Sequence, residues 1–210
     1  MHITISELLK AESYLLKAET IFKELGDKYT LIATYLCLSE LQIKKLDDKQ
    51  YAEISERKTE KEIEQALAFA DKALKLAEEM DSKSRKADCY FIYGKILRDL
   101  RVEELESLEA KENVDKLIRL YADMDFSLSS YKHINVSAYF FRKAIETYRE
   151  IKQKKSLADS YLEYAKMLKR SVEQASLPVQ ETSDSYFEKA LEIYKELKLE
   201  HKIKEVEKEL

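Results

Sequence analysis

An all-α fold is predicted by three features of the sequence. Glycine occurs twice, proline once and tryptophan never in 210 residues, and a chain with few turn-forming residues favours long helices over strands. Charged residues make up 37% of the chain, and apolar residues recur among them at spacings of three and four, the period of one helix face. A twelve-residue phrase also recurs, which indicates that one kind of helix is used several times.

The first helix is predicted to end at Leu25 and has a signal at each end. Thr4 and Glu7 have the spacing of a capping box, and Gly26 offers a left-handed stop. The inner face of this helix is predicted from apolar residues at helical spacing. These are Leu8, Ala11, Leu15, Ala18, Phe22 and Leu25.

The next three helices follow the same kind of pattern. The second is predicted from about Tyr29 to Lys45 and the third from about Thr59 to Met80, where Thr59 and Glu62 repeat the capping-box spacing. The polar stretch from Ser55 to Lys61 could form a loop, or it could be an exposed part of one helix that reaches back to Gln50. The fourth helix is predicted to begin near Ser84.

The rest of the chain is predicted to hold further long helices and a short closing one. The long helices run from about Ser130 to Gln153, from a cap at Ser156 to about Gln174, and from Ser183 to Leu199. We expect one domain, residues 1–210, of about seven to nine helices. Irregular inserts are expected near 46–60 and 101–130, and a break near 176–182 around the single proline. The closing helix is predicted from Ile203, Val206 and Leu210.

The recurring phrase stands at a fixed distance from a tyrosine. Its clearest copies run from Phe141 to Lys152 and from Phe187 to Lys198, and weaker copies contain Lys17-Ala18 and Lys72-Ala73. In the first three copies, subtraction of residue numbers places a tyrosine seventeen residues after the alanine. These tyrosines are Tyr35, Tyr90 and Tyr161. The constant step predicts a helix-turn-helix unit used three times.

Both helices of this unit carry side chains suited to close packing. In the Lys-Ala helices a small residue, a bulky residue and an alanine share one face, as in Ser137, Phe141 and Ala144. In the tyrosine helices large and small residues alternate, as in Tyr93 and Gly94. Small side chains let a neighbouring backbone approach, and the aromatic ring fills the adjacent space. Stacked antiparallel helix pairs are therefore predicted.

These phrases resemble the tetratricopeptide repeat, whose paired helices alternate bulky and small residues in the same way. The resemblance implies helix pairs stacked as an α-α superhelix, in which the tyrosine helix opens each unit and the Lys-Ala helix closes it. The Lys-Ala phrases lie 55, 71 and 46 residues apart by subtraction of residue numbers, against about 34 in a regular repeat. Longer helices or inserts are therefore expected after the tyrosine phrases.

The resemblance further implies that the tyrosine helices line a groove for a peptide. One helical step from the packing residues, each of these helices presents an apolar residue followed by charges, and two of them carry a pair of cations on one side. An acidic helix or tail with an apolar anchor is the expected ligand, and ordinary solvated charge is the alternative. The candidate groove residues are Leu36, Glu40, Ile43, Phe91, Lys95, Arg98, Leu162, Lys166, Lys169 and Arg170.

Composition narrows the setting in which the protein works. The net charge of -4 gives no general attraction to phosphate backbones or anionic lipid. No apolar run approaches the roughly 18 residues that span a bilayer, and the first ten residues lack the features of a signal peptide. Cys37 and Cys89 are expected to be buried, reduced thiols, which favours the cytoplasm.

The sequence predicts no catalytic, metal or cofactor site. His2, His133 and His201 are scattered and lack metal-ligand spacing, and there is no glycine-rich phosphate loop. The expected role is a protein-protein interaction module, acting as scaffold, adaptor or regulatory sensor. One alternative is a structural module that self-associates through its terminal helices. Another is a helical protein that binds single-stranded nucleic acid on its tyrosines.

Overall fold

The computed structural model describes residues 5–47, 56–98, 132–175 and 182–210. In these ranges the chain is all-α, as predicted, and forms eight helices without strands. The predicted insert near 101–130 lies outside the described residues, as does the break near 176–182 except for residue 182. Of the predicted insert near 46–60, residues 46–47 and 56–60 are described, and they are helical. The helices are α1 (Ile5–Leu25), α2 (Lys28–Asp47), α3 (Glu56–Glu79), α4 (Lys83–Arg98), α5 (Lys132–Glu150), α6 (Lys154–Ala175), α7 (Ser183–Glu196) and α8 (Glu200–Glu207).

Helices pack in consecutive pairs. The most extensive contacts join α2 to α3, α4 to α5, and α6 to α7. We call α2, α4 and α6 the opening helices and α3, α5 and α7 the closing helices. Consecutive opening helices also touch one another. By its register α1 is a closing-type helix that packs on α2, and α8 is an opening-type helix that packs on α7.

Small residues allow the helices of a pair to approach closely. A Cβ atom built on Gly94 would lie 2.9 Å from ring atoms of Phe141. Any side chain at position 94 would therefore displace the Phe141 ring, which is fully buried. Ser137 Oγ donates to the carbonyl of Gly94 at 2.8 Å. At the corresponding contact of α2 with α3, Ser39 Oγ donates to the carbonyl of Ala66 at 2.9 Å. The alternation of small and large residues thus forms the contact between opening and closing helices.

Four helices end in the same left-handed turn. The backbone N–H of the residue that follows the left-handed one donates to the carbonyl five residues earlier, at 3.1 Å from Asp27 to Phe22 and at 3.0 Å from Gln153 to Tyr148. This is the Schellman arrangement. The left-handed residues follow α1, α3, α5 and α7 in turn: Gly26, Asp81, Lys152 and Lys198, with φ of 67°, 46°, 58° and 55°. The short connection explains the constant seventeen-residue step.

Buried tyrosines also tie the paired helices together. Tyr148 of α5 donates its hydroxyl to Asp88 of α4 at 2.6 Å, and Tyr194 of α7 donates to Asp159 of α6 at 2.7 Å. The same register in α2 and α3 holds alanines, Ala33 and Ala77. At this position the α2–α3 pair therefore has small side chains and lacks this hydrogen bond.

Four expectations about individual residues outside the candidate groove are wrong. Leu25, expected on the inner face of α1, is 71% exposed. Thr59 and Ser156 lie inside helices, because α3 begins at Glu56 and α6 at Lys154. The start of α6 is set by the left-handed turn at Lys152, which leaves no place for a cap two residues inside the helix. Cys89 is buried as expected, but Cys37 is exposed.

Candidate functional site

The ten residues of the candidate groove fall on the opening helices but differ in exposure. Leu36, Ile43 and Leu162 are only 8%, 5% and 1% exposed, so they belong to the core and cannot anchor a ligand. The reason is that each opening helix packs on closing helices and on its neighbouring opening helices, which leaves little of its surface open. Phe91 is half-buried, and Arg170 is exposed.

The charged members of the set form one continuous row that crosses from helix to helix. Lys95 of α4 donates to Glu40 of α2 at 2.8 Å. Arg98 of α4 pairs with Glu163 of α6, and Lys166 of α6 lies 3.2 Å from the carboxylate of Glu163. Each ion pair therefore links two neighbouring opening helices or two turns of one. We call this set of side chains the charged row.

Helix α8 extends the charged row with carboxylates. Lys166 Nζ lies 2.7 Å from the Glu205 carboxylate. Lys169 Nζ donates to the backbone carbonyl of Glu209 at 2.6 Å and lies 3.4 Å from its carboxylate. Lys202 of α8 also contacts Glu205, at 2.8 Å. Helix α8 and the residues just after it thus place glutamates of the protein itself at the basic end of the row.

Glu163 is the electrostatic centre of the charged row. Its side chain is 17% exposed. Burial by itself raises the pKa of this carboxyl, but the charges of Arg98, Lys166 and Lys95 outweigh burial and hold the pKa below its ordinary value. For Lys166 burial by itself lowers the pKa, but the carboxylates of Glu163 and Glu205 outweigh burial and raise the pKa above its ordinary value. These groups are therefore charged at neutral pH.

A cleft of about 230 Å³ opens beside the centre of the row. Phe91 supplies an apolar wall, while Lys95 and Glu163 supply charges. Lys202 reaches the cleft from α8, and Asp159 from the first half of α6. A side chain of another protein entering here would meet an aromatic surface flanked by both signs of charge.

The acidic partners of the row were not predicted from the sequence. Glu163 lies on α6, Glu205 on α8 and Glu209 just after α8. Whether these carboxylates reach the cations of α4 and α6 depends on how the helices between them pack. The available signal was register: Glu205 lies 46 residues after Asp159, the spacing between the last two Lys-Ala phrases. That spacing identifies α8 as another helix of the opening type.

Among the described residues no group of histidine, cysteine, aspartate and glutamate could hold a metal ion. None of the described helices has the length and apolar character needed to cross a membrane. Comparison with protein-family models, with curated proteins and with solved structures found no match. The function must therefore be inferred from the side chains themselves.

Proposed function

We propose that this protein binds an acidic, helical segment of another protein along the charged row, as a scaffold, adaptor or regulatory sensor. The observation that carries the proposal is the contact between α8 and α6. Glu205 of α8 and Glu209, just after α8, bind Lys166 and Lys169, which is the recognition expected of an acidic helix laid on this surface. The proposed role is non-catalytic, and the proposed setting is the cytoplasm.

The charges define what kind of ligand fits. Lys95 and Lys166 are each about one-fifth exposed, so a ligand carboxylate can reach them only by replacing a carboxylate of the protein. Such an exchange trades one ion pair for another, so the net attraction from charge is small, and apolar contact at Phe91 adds to it. We therefore expect modest affinity that weakens with added salt.

The proposed architecture is a tetratricopeptide-like array. The support for it is the repeated use of one helix pair, one left-handed turn and one step of seventeen residues. In such an array the opening helices share one face, and the charged row lies on that face. The proposal that this face is the binding surface rests on this arrangement.

The experiment compares two charge swaps that each keep their own ion pair. Lys95→Glu with Glu40→Lys inverts the charges within the row, whereas Lys28→Glu with Glu79→Lys inverts an exposed pair of equal length, 2.8 Å, between α2 and α3. Tagged forms of the wild type and of both double variants are used to capture proteins from native lysate. Captured proteins are then identified and quantified by mass spectrometry.

The wild type and the Lys28/Glu79 swap should capture the same proteins, and the Lys95/Glu40 swap should lose them. Isolated candidates are then tested as purified acidic segments, with binding measured by fluorescence anisotropy at several salt concentrations. Equal capture by all three forms would refute the charged row as the binding surface. Binding that grows stronger with added salt would refute the proposed ligand chemistry.

A second candidate function is self-association into a larger assembly. Exposed apolar side chains at both ends favour it: Leu25 of α1 is 71% exposed and Leu210, just after α8, is 59% exposed. Sedimentation velocity over a range of protein concentrations tests this candidate directly. A monomer at all concentrations would exclude it.

A further inference from the structure

Helix α1 carries an apolar stripe that no other described helix covers. Tyr14, Ile21 and Leu25 are 70%, 52% and 71% exposed. Lys17 lies beside the stripe, with its Nζ 5.7 Å from the centre of the Tyr14 ring. Glu24 is an exposed carboxylate at the same end as Leu25. Scattered apolar residues need no explanation, but an aligned stripe on one helix does.

Helix α7 carries the same five side chains in the same register. Subtraction of residue numbers gives a constant offset of 172 between the two sets, which also relates the alanines of the two phrases, Ala18 and Ala190. In α7 the five residues are Tyr186, Lys189, Ile193, Glu196 and Leu197. The surroundings of α7 therefore show what such a surface receives.

In α7 this surface is covered by the opening helix α6. Tyr186 is 9% exposed, and its ring centre lies 4.8 Å from that of Tyr164 and 5.7 Å from that of Tyr161. Lys189 Nζ lies 4.3 Å from the centre of the Tyr186 ring. Glu196 forms an ion pair with Lys154 at the start of α6. Aromatic contact and one ion pair thus fix the helix in place.

The other two pairs repeat the arrangement. At the position of Tyr14 and Tyr186, α3 has Phe69, stacked on Tyr35 with 6.2 Å between ring centres. At the same position α5 has Phe140, whose ring centre lies 6.2 Å from that of Tyr90 and 4.9 Å from that of Tyr93. The terminal ion pairs also recur, and they join Lys28 to Glu79, and Lys83 to Glu150.

The covering helices share a recognisable chemistry. Each begins with a lysine and has a tyrosine seven residues later by subtraction of residue numbers: Lys28 and Tyr35, Lys83 and Tyr90, Lys154 and Tyr161. The lysine meets the glutamate at the end of the closing helix, and the aromatic side of the opening helix meets the aromatic residue of the closing helix. In α1 the glutamate of this ion pair is Glu24 and the aromatic residue is Tyr14, and both are exposed to solvent.

We propose that the Tyr14–Leu25 face of α1 is a docking surface for an amphipathic helix of a separate protein. That helix carries a lysine or arginine in its first turn and an aromatic residue seven positions later. The cation pairs with Glu24, and the aromatic residue packs on Tyr14 beside Lys17. This surface is distinct from the charged row, and it does not depend on the function proposed for that row.

A second copy of the chain fits this surface less well. Helix α8 is the opening-type helix that a second copy would offer, and register places Glu200 where the lysine stands and Glu207 where the tyrosine stands. Glu200 would face Glu24, and like charges in contact oppose association. The internal templates therefore favour a different polypeptide with a basic first turn.

The test uses the whole protein and a synthetic probe. The probe is a fluorescein-labelled peptide of residues 153–170, held helical by a covalent link on the face opposite Tyr161, because an isolated helix of this length is marginal in water. Binding is measured by fluorescence anisotropy. Tyr14→Ala should weaken binding at least about tenfold, as truncation of a central aromatic anchor does. Both Tyr14 and Glu24 are exposed, so the variants should keep the far-ultraviolet circular dichroism of the wild type.

A charge exchange identifies the contact. Glu24→Lys should weaken binding by about threefold, the size of an exposed ion pair, and a peptide with Lys154→Glu should bind this variant better than it binds the wild type. The Lys95/Glu40 swap should leave binding of the probe unchanged, so failure of this proposal is distinguishable from failure of the proposed function. Equal binding to the wild type and to Tyr14→Ala, or no saturable binding below about 1 mM, overturns it. A dimer of the protein that Tyr14→Ala abolishes also overturns it, in favour of a second copy.

Discussion

Removal of one buried hydroxyl tests the contact between α4 and α5. Tyr148 is 2% exposed and donates to the Asp88 carboxylate at 2.6 Å. Burial first, and then the nearby Asp88 charge, raise the pKa of the Tyr148 phenol, so it remains a hydrogen-bond donor at neutral pH. Tyr148→Phe keeps the ring and its packing and removes only this hydrogen bond.

The expected loss follows from the charge on the acceptor. A hydrogen bond to a charged group contributes about 1.5–3 kcal/mol, and Asp88 keeps a second partner because Arg85 lies 3.1 Å from its other oxygen. We therefore expect the lower end of that range, about 1.5–2 kcal/mol. For a chain of this size the midpoint of thermal unfolding should fall by about 3–8 °C.

Equilibrium unfolding in urea, followed by circular dichroism, measures the change in the free energy of unfolding. Tyr14→Phe is the matched control, because Tyr14 is 70% exposed, and its change should stay within about 0.5 kcal/mol. In an Asp88→Asn background the cost of Tyr148→Phe should fall by about half, because the acceptor is then neutral. An equal cost in both backgrounds, or no cost in the wild type, would refute the role assigned to this pair.

Three further predictions concern the turns, the thiols and acid. Lys152→Gly should raise the free energy of unfolding in urea by up to about 1 kcal/mol, because the φ of 58° at position 152 suits glycine. Gly26→Ala should lower the free energy of unfolding for the same reason. A lower free energy of unfolding for Lys152→Gly would contradict the role of this turn. In the native protein Cys37 should react with a maleimide because it is exposed, and Cys89 should react only after unfolding because it is buried. Rapid labelling of both thiols in the native protein would contradict the fold. The pKa of Glu163 lies below 4.5 in the folded protein, so its stabilising effect is complete above that pH and is lost as pH falls through the folded pKa. Urea unfolding below pH 4.5 should therefore change less steeply with pH for Glu163→Gln, and an identical slope would refute this.

Local pattern predicted the helices better than it predicted their surroundings. The seventeen-residue step from Ala144 to Tyr161 corresponds to a helix-turn-helix unit in the structure, because one left-handed turn at Lys152 joins the two helices. The alternation of small and large residues also appears in the structure, as the contact of Gly94 with Phe141. The turn depends on residues close in sequence, and the Gly94–Phe141 contact depends on the point where two helices cross. A periodic sequence pattern predicts both kinds of feature well.

Exposure and long-range ion pairs were harder to predict. A helix face read from sequence does not say how many neighbours a helix has, so Leu162 was expected on an open surface and is 1% exposed. Likewise the partners of Lys166 and Lys169 lie about 40 residues further along the chain, at Glu205 and Glu209. Their meeting depends on the lengths of α6 and α7 and on the turn between α7 and α8.

The same repeated contacts explain why α1 is informative. In three closing helices a tyrosine or phenylalanine, a lysine and a glutamate pack against the opening helix that precedes them, and in α1 the same residues face no described helix. Internal repetition thus supplies three observed examples of a contact whose fourth example is open. That comparison needs no information from outside the chain.

Site-directed photo-crosslinking in native lysate tests directly whether the charged row is a protein-binding surface. A photoreactive amino acid is placed at Lys202, which lines the cleft beside Phe91, and at Lys10, an exposed residue of α1, as the control. We expect the Lys202 probe to crosslink a protein through a segment rich in aspartate and glutamate, and the Lys10 probe not to crosslink that segment. Crosslinks to the same segment from both positions, or none from Lys202, would rule out the charged row as the binding surface.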